Sequence, residues 1–249
     1  MRGLVYHFLL ALPVARIPQT ENKTFLVVLS HHDDHTWDWG FGGFIAKLAD
    51  AGWSGTYVRT TNDEKDSGVG WGRGDQINLR ESREATRILG IKDVISLNWR
   101  NDHMDSIPIK ELRANYILLI RKYRPEVVMT WNPWGHYDRN PDHRKVSRAM
   151  GEAVWMAGLA NVHPEHMDMG LKPWRVPHVY YTFRADYGKG HEYNVRVELN
   201  ADQVRRKGEA FQAHQNVYRG VQWTPPSEER LFYRGEWDHL PGLMETLPK

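Results

Sequence analysis

The chain has 249 residues, 33 Lys and Arg against 31 Asp and Glu, and a formal charge of +2 at pH 7. That balance argues against a nucleic-acid binder, which needs a basic face to neutralise phosphates. Hydrophobic residues at 41%, charged residues at 26% and no cysteine describe a globular chain without disulfides, thiolate metal sites or a Cys nucleophile.

Residues 4–11 (LVYHFLLA) form a short apolar stretch that His7 interrupts, with Pro13 spoiling a cleavage pattern near Ala15. The stretch reads as a packed N-terminal segment, 1–23, of a cytoplasmic chain; export would follow if the first 15 residues acted as a signal. No run reaches the roughly 18 apolar residues of a membrane span. Residues 25–30 (FLVVLS) are a buried-strand pattern. A helix is expected over 38–51, with Phe41, Phe44, Ile45 and Leu48 on one face and Gly52 as its stop. Strand 56–60 precedes a Gly-rich polar loop, 62–74. Helix 76–89 ends at Gly90, and strand 94–97 follows. Pro108 opens a helix that runs to Tyr123. Strand 127–131, helix 142–159, strands 179–183 and 195–199, and a helix over 201–217 capped by Asn200 complete the pattern. The tail, 218–249, reads as irregular and aromatic.

Strands alternating with helices of this length imply βαβ units. The expected fold is α/β: a Rossmann-like, mostly parallel sheet with helices on both faces, in a single domain over 1–249 with the tail packed on it. In such sheets ligands bind beyond the C-terminal ends of the strands, and three of those ends carry unusual chemistry: from Ser30, from Asn98 and from Trp131 onward. The first strand runs into Ser30-His31-His32-Asp33-Asp34-His35, and the strand ending at Trp131 runs into Asn132 through His143, with Asp142 and His143 opening a helix. Imidazole nitrogens and carboxylate oxygens suit a divalent metal ion, and a catalytic zinc site takes three such ligands with one position left for water. A dinucleotide site is disfavoured, because the turn after the first strand is acidic rather than Gly-rich.

These residues resemble the PIG-L/LmbE-like zinc-dependent N-deacetylases. That family's first motif is Ala-His-Pro-Asp-Asp-Glu, where this chain has Ser30-His31-His32-Asp33-Asp34-His35; its second is His-Pro-Asp-His, where this chain has Asn140-Pro141-Asp142-His143. Between them the family has an Arg, Glu and Ala on a helix ending in Leu-Gly, matched by Arg80, Glu84, Ala85, Leu89 and Gly90, and an Asp after the third strand, matched by Asp102. A late Lys-Ala-His pattern is matched by Lys207, Ala210 and His214. The resemblance covers residues 24–216. It implies His31, Asp34 and His143 as ligands of Zn²⁺ or another first-row divalent ion, and Asp33 as general base. It also implies that Arg80 and Asp102 shape the site or hold substrate, with His214 nearby. The implied reaction removes an acyl group, in the family mostly acetyl, from an amide nitrogen of an N-acetylglucosamine-type compound.

Three positions depart from the family pattern: His32 for Pro, His35 for Glu, and Asn140 for the first His of the second motif. Asn140 can donate a hydrogen bond to an oxyanion but cannot deliver a proton. Asp33 acting as base and then acid, or His136 upstream, would supply the proton to the leaving amine. Trp37, Trp39 and Trp134 lie near the motifs and offer aromatic faces to a sugar ring. Two other readings stay open: a sugar- or metal-binding family member with impaired catalysis, and a hydrolase of a non-sugar amide. The sequence is compatible with a homo-oligomer and leaves its size open.

Overall fold

β1 (Thr24–Leu29) is apolar from Phe25 on, and Phe25 to Leu29 are buried. A strand covered on both faces belongs in the middle of a parallel sheet, and that is where it lies in this computed structural model, which describes residues 12–66, 73–133, 138–183 and 193–235. β2 (Ser54–Thr61) flanks β1 on one side with β3 (Asp93–Trp99) outside it. β4 (Val127–Trp131) flanks β1 on the other side, followed by β5 (His178–Thr182). These five strands are parallel. The complete seven-stranded order is β3-β2-β1-β4-β5-β7-β6.

The helices cover both faces as expected. α1 (Gly42–Asp50), α2 (Gly74–Leu89) and α6 (Ala201–Gln212) pack together on one side, and α3 (Ile109–Tyr123) and α4 (Pro141–Met156) pack on the other. α5 (Glu165–Asp168) and α7 (Gln215–Tyr218) are single turns. Asn200 caps α6 through a reciprocal pair of bonds: its side chain accepts from the Gln203 amide at 2.9 Å and its amide donates to Gln203 Oε1 at 3.0 Å. Gly90 ends α2 at φ 100°, a left-handed conformation that only glycine adopts freely.

Two expectations need correction. Residues 38–41 are turns, and α1 starts at Gly42. Gly40 closes the turn through its amide on the Trp37 carbonyl, 2.8 Å, and packs so tightly that a Cβ there would sit 2.5 Å from the His35 carbonyl carbon. The expected irregular tail contains β7 (Glu228–Arg234), which runs antiparallel between β5 and β6 (Val195–Glu198). Its sequence, EERLFYR, buries only Glu229 and Leu231, so it carries no apolar strand signal. What holds it is a buried carboxylate. Glu229 takes Lys207 Nζ at 2.7 Å and the first amides of α1, Gly43 at 2.7 Å and Phe44 at 2.9 Å. An anion at a helix N-terminus is favourably placed.

The chain leaves β1 toward β2 and β3, then crosses back to place β4 on the other side of β1. The crevice at that reversal lies between the C-terminal ends of β1 and β4, the two ends that carry the His- and Asp-rich segments. The apolar stretch 4–11 and the last residues of the tail, 236–249, lie outside the described residues. Among the described residues no helix is long and apolar enough to cross a membrane.

Candidate metal centre and catalytic cavity

Ser30 through Thr36 are buried although almost every side chain is polar. Local bonds hold this turn. The His31 amide donates to Asp34 Oδ2 at 2.7 Å, and Tyr57 donates its hydroxyl hydrogen to the His31 carbonyl at 2.5 Å. The Thr36 hydroxyl donates to the Asp33 carbonyl at 2.8 Å. Across the crevice, Asn140 caps α4 by accepting the Asp142 amide at 2.9 Å, and Pro141 opens the helix. That places Asp142 and His143 in the first turn, facing β1.

His31, Asp34 and His143 meet here. His31 Nδ1 lies 3.1 Å from His143 Nε2 and 3.4 Å from Asp34 Oδ2, and His143 Nε2 lies 3.3 Å from Asp34 Oδ1. Each ring is held from behind by a carboxylate, Asp142 Oδ2 at 3.3 Å from His31 Nε2 and Asp138 Oδ2 at 2.7 Å from His143 Nδ1. Ionised carboxylates only accept, so His31 Nε2 and His143 Nδ1 carry the hydrogens and the two facing nitrogens present lone pairs. Two imidazole lone pairs and a carboxylate oxygen of Asp34 thus face one another, an arrangement that a positive ion satisfies. Donors about 2.0–2.2 Å from a tetrahedral ion lie roughly 3.3–3.5 Å apart, close to these separations. The residues present therefore fit a divalent ion.

The electrostatics agree. Burial disfavours a charged His31, but Asp34 and then Asp142 overcome it and hold the imidazole well above its ordinary value. Burial likewise opposes charge on Asp34, and His143 and His31 hold its carboxyl well below the carboxylate range. Without an ion a proton takes its place, so ion uptake competes with protons and weakens as pH falls. Asp142 is itself pinned by the amides of Asp102 at 2.7 Å and Met104 at 3.3 Å. Trp131 stacks on His143 with centroids 4.1 Å apart. Carboxylates behind ligand rings set tautomer and orientation. Replacing Asp138 with Ala is expected to weaken ion binding by about 10–100-fold, measured by competition with a chromophoric chelator; an unchanged affinity would show that the His143 tautomer needs no support.

Asp33 lies beside this centre and lines a cavity of about 270 Å³ together with His31, Asp34 and His143. Its Oδ2 accepts the Tyr218 hydroxyl, whose oxygen accepts Trp37 Nε1 at 2.6 Å. Trp37 stacks on Trp39 with centroids 5.0 Å apart and planes 10° apart, and both line the cavity. Asp66 lines it too, and burial, then the charge of Asp33, pushes its carboxyl up to about 6.

Among the other expected residues, Asn140 and Asp102 line the cavity. Asn140 Oδ1 is occupied by its cap bond, which leaves Nδ2 as the group for a ligand. Two of the expected residues lie away from the cavity lining. Arg80 is exposed on α2 and does not line the cavity, because its neighbours Asn78, Ser82 and Ala85 take the buried face. His214 is fully buried and also outside the lining: it packs edge-on against His32, centroids 5.0 Å apart, and burial holds it well below its ordinary value. His136 and Trp134 lie outside the described residues, as does part of the 62–74 loop. The sequence reading missed Tyr218, Asp138 and the role of Asp142. An Asp just before a helix-opening Asp-His pair is a usable signal for Asp138; Tyr218 carries none.

The mostly parallel α/β sheet gathers at its switch point a His-Asp-His group that could hold a metal ion, beside a cavity that Asp33 also lines. Residues 26–154 match the PIG-L family, GlcNAc-PI de-N-acetylase. The chain belongs to that family, and its activity class is hydrolytic N-deacetylation. It is 32% identical to the diacetylchitobiose deacetylase of Thermococcus kodakarensis over 74% of this chain and 69% of that one. It is 28% identical to the 1D-myo-inositol 2-acetamido-2-deoxy-alpha-D-glucopyranoside deacetylase of Mycobacterium leprae over 86% and 71%. In structure it is similar to the N,N'-diacetylchitobiose deacetylase of Pyrococcus horikoshii, with a TM-score of 0.75, 24% identity and coverage of 88% of this chain and 86% of that one.

Proposed function

We propose that this protein removes an acetyl group from the nitrogen of an N-acetylglucosamine-type compound, using Zn²⁺ held by His31, Asp34 and His143 and Asp33 as general base. The observation that carries the reading is the meeting of one ligand atom from each of His31, Asp34 and His143 beside a cavity-lining carboxylate that takes no part in the set. The amino-sugar substrates named for the relatives support the substrate class. When bound, the ion supplies Lewis acidity, polarising the carbonyl and lowering the pKa of water toward 7.

The chain's own residues do the rest. Tyr218 occupies Asp33 Oδ2, so Asp33 Oδ1 takes the proton of the attacking water. As the water oxygen bonds to the carbonyl carbon, Asn140 Nδ2 donates to the carbonyl oxygen, which gains charge. Asp33 returns the proton to nitrogen as the carbon–nitrogen bond breaks, releasing acetate and the free amine. His136 is the second candidate donor for that proton. Trp37 and Trp39 offer a stacked aromatic face to the sugar ring, and Asp102 can accept from its hydroxyls.

The test is amine release from diacetylchitobiose and from N-acetylglucosaminyl inositol. Release is expected to stop on chelation and to return with Zn²⁺. A fully loaded protein that frees no amine from either compound would overturn the amino-sugar assignment.

A further inference from the structure

Behind the catalytic turn lies a second set of ligating side chains. His32 and His214 are fully buried, and all four of their ring nitrogens lack a hydrogen-bond partner among the described residues. The nearest acceptors to His32 Nδ1 are Asp63 Oδ2 at 3.6 Å and Asp33 Oδ1 at 3.8 Å, both beyond hydrogen-bond reach. A neutral imidazole has one donor and one acceptor to satisfy, and burying them unpaired is costly. Facing the two rings is Glu81 of α2. One ligand atom from each of His32, Glu81 and His214 lies within 4.8 Å of the others. Both Glu81 oxygens accept the Asn216 amide, at 3.0 and 3.1 Å, which aims the carboxylate and leaves each oxygen a further lone pair.

We propose that His32, Glu81 and His214 bind a second divalent metal ion, separate from the one at His31, Asp34 and His143. Two imidazoles and a carboxylate are a complete set for a first-row ion with one position left over. The set draws on three distant parts of the chain: the turn after β1, the middle of α2, and the residue between α6 and α7. An ion there ties α2 and the α6–α7 corner to the segment carrying Asp33 and Asp34. It is a structural ion beneath the cavity, since neither His214 nor Glu81 lines the cavity. The neighbouring group of His32, Asp33 and Asp66 is the competing location for a second ion. Asp33 already accepts from Tyr218 there, whereas the His214 nitrogens have no other partner among the described residues.

The experiment is ion stoichiometry by elemental analysis after equilibrium dialysis against Zn²⁺, on wild type and on His31→Ala, His214→Gln, Glu81→Gln and Asp66→Asn. Two ions per chain are expected in wild type and in Asp66→Asn, and one in each of the other three. Glu81 is only half buried, so Glu81→Gln reports even if His214→Gln does not fold. If the His31 centre held no ion, wild type would bind one and His214→Gln none, which still supports this site. One ion in wild type that is lost in His31→Ala would overturn the proposal and leave an internal water as the partner of the imidazoles. So would a second ion that survives both His214→Gln and Glu81→Gln or that leaves with Asp66→Asn.

Discussion

Asp33→Asn is expected to lower kcat by about 10²- to 10⁴-fold, the range typical of losing a general base, with KM and ion content little changed. The substitution keeps the shape of the side chain, and its amide oxygen can still accept the Tyr218 hydroxyl that Asp33 Oδ2 accepts. What it loses is the ability to take a proton. Asp33 is not part of the converging set of His31, Asp34 and His143, so ion stoichiometry separates a chemical defect from a lost centre. Asp66 also lines the cavity, its carboxyl pushed up to about 6 by burial and by Asp33. Asp66→Asn measured alongside therefore decides which one acts. If Asp33→Asn retained kcat within about threefold while Asp66→Asn lost it, the base would be reassigned. His136→Ala, run in the same series, addresses the leaving-group proton, since a lower kcat there with Asp33 intact would move that step away from Asp33.

The largest expected effect on stability is at Glu229. Glu229→Ala removes the partner of Lys207 Nζ, 2.7 Å away, and both side chains are buried. An uncompensated buried charge costs about 3–5 kcal/mol, and the Gly43 and Phe44 amides lose their acceptor as well. For a chain of this size that cost corresponds to a fall in Tm of roughly 10 °C or more, read by calorimetry or thermal circular dichroism. The paired replacement Glu229→Leu with Lys207→Met is expected to recover most of the loss, because an apolar pair needs no partner charges. A shift below about 2 °C for the single variant would mean that water reaches Lys207 and that β7 is held by its backbone pairing alone.

The catalytic turn was legible because its signal is local. Phe25–Leu29 is an uninterrupted apolar run, and five titratable residues follow just after Ser30, so strand, turn and chemistry occupy one short window. Asn200 was legible for the same reason: a cap acts on amides two or three residues away. The alternation of strands and helices implied the parallel sheet, and the rule for strand ends then pointed to the crevice. The ligand trio itself needed the family resemblance, because His31 and Asp34 lie 112 and 109 positions from His143 and nothing in either segment refers to the other.

Tertiary structure decided the rest. Tyr218 reaches Asp33 across 185 positions, and β7 holds an interior place in the sheet through the buried Glu229 as well as through Leu231 in the core. Arg80 and His214 lie outside the cavity lining while Tyr218 enters it, because helix phase and the break between α6 and α7 decide which side chain faces the cavity. Short-range patterns carry strands, caps and ligand types, since those depend on neighbours along the chain. Which carboxylate backs which imidazole, and which buried charge anchors the last strand, depends on contacts between segments that become neighbours only when the sheet assembles.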